Sequence, residues 1–143
     1  MSVRVAINGF GRIGRNILRA IVEADRPDIE VIAVNDLAPV ETNAHLLRYD
    51  SVHGRFPGEV TVKGDSISVG NGAIRCTAER DPSKLPWKEL GIDIALECTV
   101  VIKPLSMPTA SCRTLTTGAR QLVVHEPLET TVCALLSLSW LTP

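Results

Sequence analysis

Val3-Arg4-Val5-Ala6-Ile7, an apolar and largely β-branched run, leads through Asn8 into Gly9-Phe10-Gly11-Arg12-Ile13-Gly14, and helical periodicity follows. Strand, glycine turn and helix in that order build a loop whose backbone bends sharply and can approach a phosphate with no side chain between them. Beyond the loop, Ile13, Ile17, Leu18 and Ile21 share one side of the expected helix, with Arg12, Arg15, Asn16 and Arg19 largely on the other. Arg15 and Arg19 read there as a solvated surface. Pro27 and Asp28 end the helix and open a turn. The free N–H groups at the start of such a helix, with about half a unit of positive charge, make an anion site.

A second β-branched run, Val31-Ile32-Ala33-Val34-Asn35, closes on Asp36. A carboxylate at that distance from the glycine loop accepts the hydroxyls of an adenosine ribose and repels a 2′-phosphate. The expected ligand is therefore NAD, on an α/β, Rossmann-type doubly wound sheet. Gly9, Phe10, Gly11, Arg12, Ile13, Gly14 and Asp36 are its candidate binding residues.

The chain has 143 residues, 45% hydrophobic, which suits one domain with a buried core. A net charge of −1 gives no pull toward nucleic acid or an anionic membrane. Met1-Ser2-Val3-Arg4 passes straight into the first strand without the apolar segment of a secretory signal, and no run approaches a membrane span. The expected setting is cytoplasmic. Cys76, Cys98, Cys112 and Cys133 lack metal-ligand spacing and read as free thiols, Cys98 as a buried structural one within Ile94-Ala95-Leu96-Glu97-Cys98.

After Asp36, residues 41–48 read as a short helix and residues 49–58 as a loop. Residues 59–63, 66–69 and 73–77 alternate at the strand period around the turns Gly64-Asp65 and Gly70-Asn71-Gly72, an antiparallel hairpin insertion in the mostly parallel sheet. A short helix is expected over 81–88 and a buried strand over 93–99. Beyond Thr99 only Lys103, Arg113, Arg120, Glu126 and Glu129 are charged, and threonine, serine, leucine and proline take over. Residues 121–125 read as a further strand, and 132–140 as a short helix or strand.

These residues resemble the N-terminal, cofactor-binding half of glyceraldehyde-3-phosphate dehydrogenase. The likeness rests on residues 5–15 (VAINGFGRIGR), 34–37 (VNDL), 46–56 (LLRYDSVHGRF), 78–82 (AERDP), Pro86-Trp87 and 93–99 (DIALECT), in family order and spacing. It implies that Arg12 and Ile13 offer backbone N–H groups to a pyrophosphate, that Asp36 holds the adenosine ribose, that Arg80 borders the adenine and that Thr99 lies near the nicotinamide half. It divides the chain into an NAD-binding domain at 1–99 and a divergent tail at 100–143. In the tail Val100-Val101-Ile102-Lys103-Pro104 stands where the family continues with glycine, a pattern that a shifted reading frame or an alternative 3′ end produces. Ser111-Cys112-Arg113-Thr114 is similar to the family's nucleophile motif, but it comes too early and lacks the second threonine and the asparagine. No catalytic residue is assigned, and His45 and His53 read as structural.

The resemblance implies glycolytic aldehyde oxidation for the intact family, and NAD recognition without catalysis for this chain. Homo-oligomers or association with full-length subunits are the implied partners. Two alternatives remain: a chain similar to erythrose-4-phosphate dehydrogenase, which tends to carry glutamate at the position of Asp36, and a non-catalytic nucleotide-binding or regulatory protein.

Overall fold

Two parallel strands with small and β-branched side chains form the centre of the molecule. In the computed structural model, which describes residues 2–70, 72–99 and 120–123, β1 (Val3–Asn8) pairs in parallel with β2 (Ile29–Asn35), joined by helix α1 (Arg12–Glu23). The chain continues through α2 (Val40–Arg48), the two-residue strands β3 (Tyr49–Asp50) and β4 (Gly54–Arg55), β5 (Thr61–Lys63), β6 (Ser66–Ser68) and β7 (Ala73–Thr77). A 3₁₀ turn at Pro82–Lys84 precedes β8 (Ile94–Glu97), and β9 (Arg120–Val123) follows. The seven-stranded sheet runs β5-β6-β7-β2-β1-β8-β9; β6 is antiparallel to both its neighbours, β5 and β7, and every other adjacent pair is parallel. This is the expected α/β, Rossmann-type, mostly parallel sheet with its hairpin insertion.

Side chains alternate across β1 and so fill two layers. Val5 and Ile7 point to the face covered by Ile17, Leu18 and Ile21 of α1 and by Ala44 and Leu47 of α2. Ala6, with Ala33 and Ala95 beside it, forms a flat surface on the other face, and Trp87 lies there fully buried with Leu85 and Ile92. Small residues on three adjacent strands leave room for one indole. Arg4 holds this covering segment to the sheet, its guanidinium donating to Leu90 O at 2.9 Å and its N–H to Asp93 Oδ2 at 2.9 Å.

Several expectations are corrected. Residues 49–58 are not all loop, since β3 and β4 pair antiparallel, Tyr49 opposite Arg55 and Asp50 opposite Gly54. Asp50 makes this tight turn possible: Oδ1 accepts from the N–H groups of Val52 (2.8 Å) and His53 (2.7 Å). The helix expected over 81–88 is only the 3₁₀ turn, capped by Asp81, whose carboxylate accepts from Ser83 N–H. Arg19 is not a solvated residue. It is 4% exposed and donates to Leu47 O (3.0 Å) and Gly54 O (3.1 Å), with its guanidinium 5.5 Å from the centre of the Phe56 ring. The i, i+4 pattern put it on the polar side of α1, but the end of α2 and the β3–β4 hairpin fold over that side and present the Leu47 and Gly54 carbonyls to it. Arg15 is half-buried as well and donates to Phe10 O at 3.0 Å. The strand expected at 121–125 appears as β9, while residues 132–140, Cys112 and His125 lie outside the described residues.

Candidate functional site

The sheet order changes direction at β1: the chain proceeds outward on one side through β2 and later returns to β8 on the other. A crevice opens beyond the carboxyl ends of the strands at such a switch point. Here it is a cleft of about 690 Å³.

Its inner wall is the start of α1. Gly11, the residue before the helix, has φ −67° and ψ −159°; no side chain caps the helix, and its first turn carries no acidic residue. The first helical bond runs from Arg15 N to Gly11 O at 3.0 Å, so the N–H groups of Arg12 and Ile13 donate to nothing among the described residues. A Cβ added at Gly11 meets no atom within 4 Å. Free donors beside open space fit a diphosphate, both by hydrogen-bonding capacity and by the field of the helix.

The other two glycines serve the fold. Gly9 has φ +91°, and a Cβ there would stand 2.7 Å from Thr99 N and 2.8 Å from the Cys98 carbonyl carbon. Gly14 packs α1 onto the loop so closely that its Cβ would lie 2.3 Å from Gly9 O and 2.9 Å from Ile7 Cγ2. The loop therefore touches the segment that follows β8, and the helix touches the loop.

Asp36 follows β2 and turns back to the glycine loop. Its Oδ2 accepts from Phe10 N at 2.8 Å, and its Oδ1 from Ala38 N at 2.9 Å. Two backbone donors hold the carboxylate still, and each oxygen keeps a lone pair for a hydroxyl. Burial lowers the pKa of nearby Arg15, against the pull of the Asp36 charge.

Seven of the nine expected site residues line this cleft: Gly9, Gly11, Arg12, Ile13, Asp36, Arg80 and Thr99. Phe10 and Gly14 do not. The Phe10 side chain is 1% exposed in the core and its N–H is committed to Asp36, while Gly14 lies on the buried face of α1. The sequence reading missed Asn8, Asn35 and Glu79, which form part of the lining. The signal for the first two was present, since each is a buried amide ending an otherwise apolar strand.

Both described cysteines are held in the thiol form. Burial, with the Glu97 charge beside it, pushes the Cys98 thiol up to about 12, and burial raises Cys76 to about 11; both stay protonated near neutrality. No group of three or more metal-ligating side chains occurs among the described residues. No helix among them is long and apolar enough to cross a membrane.

Comparison with known proteins agrees with this geometry. The family model for the glyceraldehyde 3-phosphate dehydrogenase NAD binding domain matches residues 3–104. Glyceraldehyde-3-phosphate dehydrogenase of Xanthobacter flavus is 62% identical over 129 residues, which are 90% of this chain and 38% of that protein. The Cereibacter sphaeroides protein of the same name is 57% identical over 129 residues, again 90% of this chain and 37% of its own length. The Thermotoga maritima protein is 49% identical over 124 residues, 87% of this chain and 36% of its own. The chain thus spans well under half the length of these relatives. Their aligned stretches extend past Thr99, whereas the family model ends at residue 104.

Proposed function

This chain belongs to the glyceraldehyde 3-phosphate dehydrogenase family, and from that premise we propose that the cleft between β1, β2 and β8 receives NAD along its length. The matched domain is an NAD-binding one. In this reading the N–H groups of Arg12 and Ile13 take the diphosphate, Asp36 takes the adenosine ribose, Arg80 borders the adenine, and Thr99 stands at the far end of the cleft. Asp36 also sets the choice of cofactor: a 2′-phosphate brought against a carboxylate already held by two backbone donors meets repulsion that no side-chain movement relieves.

Bound NAD supplies a hydride acceptor, and the relatives' name gives glyceraldehyde 3-phosphate as the substrate oxidised. The part of the described residues is recognition: they orient the cofactor and offer no thiolate, since Cys98 is buried, Cys76 half-buried, and desolvation holds both protonated. The observation that carries the reading is an uncapped helix start with open space at Gly11, beside a carboxylate fixed by Phe10 and Ala38.

Titration of the purified chain with NADH, followed by nicotinamide fluorescence, tests it. The expected result is saturable binding that NAD displaces and NADP does not. An unchanged signal at millimolar NADH rejects the proposal.

A further inference from the structure

Four side chains beneath the cleft stand in one register row. Asn8 of β1 is opposite Glu97 of β8 and Asn35 of β2, and Asn35 is opposite Thr77 of β7. They are joined end to end. Glu97 Oε2 accepts from Asn8 Nδ2 at 2.7 Å, Asn8 Oδ1 accepts from Asn35 Nδ2 at 2.8 Å, and Asn35 Oδ1 accepts from Thr77 Oγ1 at 3.0 Å. Both ends of the row then reach the rim of the cleft. At one end Glu97 Oε1 accepts from the N–H and the hydroxyl of Thr99. At the other, Asn35 donates to Glu79 O at 2.8 Å and accepts from Glu79 N at 2.9 Å, which holds the backbone next to Arg80.

The row has a direction. A carboxylate only accepts, so Asn8 must turn its NH₂ toward Glu97 and its oxygen toward Asn35. Asn35 must then turn its NH₂ toward Asn8 and Glu79 O, leaving its oxygen for Glu79 N–H. That backbone donor independently requires the same orientation, so the two amides are fixed from both ends.

We propose that Glu97 is a positioning residue that sets the hydrogen-bond direction of this amide row and thereby holds Thr99 at one rim of the cleft and the Glu79–Arg80 backbone at the other. The inference rests on NAD occupying the cleft. Its distinctive consequence is action at a distance: a change at Glu97 weakens ligands that reach only the adenosine end.

The variants are Glu97→Gln, Asn8→Asp and the two combined. Glu97→Gln places its NH₂ against the Asn8 NH₂ or against the Thr99 N–H; Asn8→Asp places two carboxylates in contact. In the double variant the new amide on β8 donates to the new carboxylate on β1, which still accepts from Asn35, so every bond is restored with its polarity reversed at a single rung. The full chain is titrated with NADH by fluorescence and with ADP, which lacks the nicotinamide, by calorimetry. Each single variant is expected to weaken both ligands about tenfold, and the double variant to return to within about threefold of wild type. General electrostatics predicts the opposite for Glu97→Gln, since loss of a negative charge favours an anionic ligand. Unchanged or tighter ADP binding in Glu97→Gln, or a double variant no better than the weaker single one, overturns the proposal. If the wild-type chain binds neither ligand, the NAD reading falls and the row is judged by melting temperature alone: recovery in the double variant supports it, and none overturns it. The same criterion applies to a single variant too unstable to titrate.

Discussion

Alanine at Gly11 and alanine at Gly14 add the same methyl group three residues apart and should have opposite effects. At Gly11 the new Cβ meets nothing within 4 Å and φ is −67°, so the folded chain accepts it. Reduced freedom of the unfolded chain then favours folding by about 0.4–1 kcal/mol, and the poorer helix cap opposes it by about the same amount. The net change is close to zero. At Gly14 the methyl carbon would come within 2.3 Å of a backbone oxygen and 2.9 Å of Ile7 Cγ2, and neither can yield without moving a central strand or the loop. Overpacking of this kind is destabilising by about 1–3 kcal/mol or more, and at about 3–5 °C per kcal/mol for a domain of this size the midpoint falls by about 3–15 °C. Binding should invert the order. The Gly11→Ala methyl occupies the space assigned to the diphosphate and should weaken NADH at least about tenfold, or about 1.4 kcal/mol. Thermal melts by circular dichroism and NADH titrations on both variants decide the matter. A Gly11→Ala chain with wild-type affinity refutes the placement of the diphosphate, and a Gly14→Ala chain with an unshifted midpoint refutes the packing argument.

Asp36→Ala should remove discrimination against NADP in competition titrations, and because the Phe10 and Ala38 N–H groups lose their acceptor it should also destabilise the chain by about 1–3 kcal/mol. Arg19→Met keeps the apolar stem but leaves Leu47 O and Gly54 O unpaired; a loss of about 2–4 kcal/mol in denaturant unfolding is expected, and no loss would show those carbonyls to be solvated. The carboxyl of Asp50 is pushed from 3.8 down to about 2 by the His53 and Val52 N–H groups. Its support for the β3–β4 turn is therefore complete above pH 4 and is lost as pH falls toward 2, which amide exchange at Val52 and His53 should register; exchange that stays flat to pH 2 contradicts this. Cys98 and Cys76, held protonated by burial, should resist iodoacetamide at pH 7.5 in the folded chain and react fully in urea, as read by peptide mass mapping.

Much of this arrangement was legible locally. The glycine loop, both strands beside it, Asp36 at the end of the second strand and the hairpins around Gly64 and Gly70 each follow from residues adjacent in the chain. What escaped reading depends on strands remote in sequence. Asn8 and Asn35 look like ordinary strand ends until register places them beside each other and beside Glu97. Arg19 looks solvated until residues 47–56 fold across it. Phe10 and Gly14 belong to the motif by spacing, yet packing turns one into the core and presses the other against Gly9.

The position of β1 between β2 and β8 also governs how the chain comes into being. Asn8 meets Asn35 across 27 positions and Glu97 across 89. Closing the longer loop is entropically costlier by about 1 kcal/mol. On a ribosome adding about 5–20 residues per second, β8, the second neighbour of β1, emerges several seconds after the first helix and its two strands. Throughout that interval the central strand β1 has one edge unpaired, and aggregation is most dangerous then. Slowing translation after β2 should lengthen this exposure and raise dependence on chaperones, whereas slowing it after β8 should have little effect.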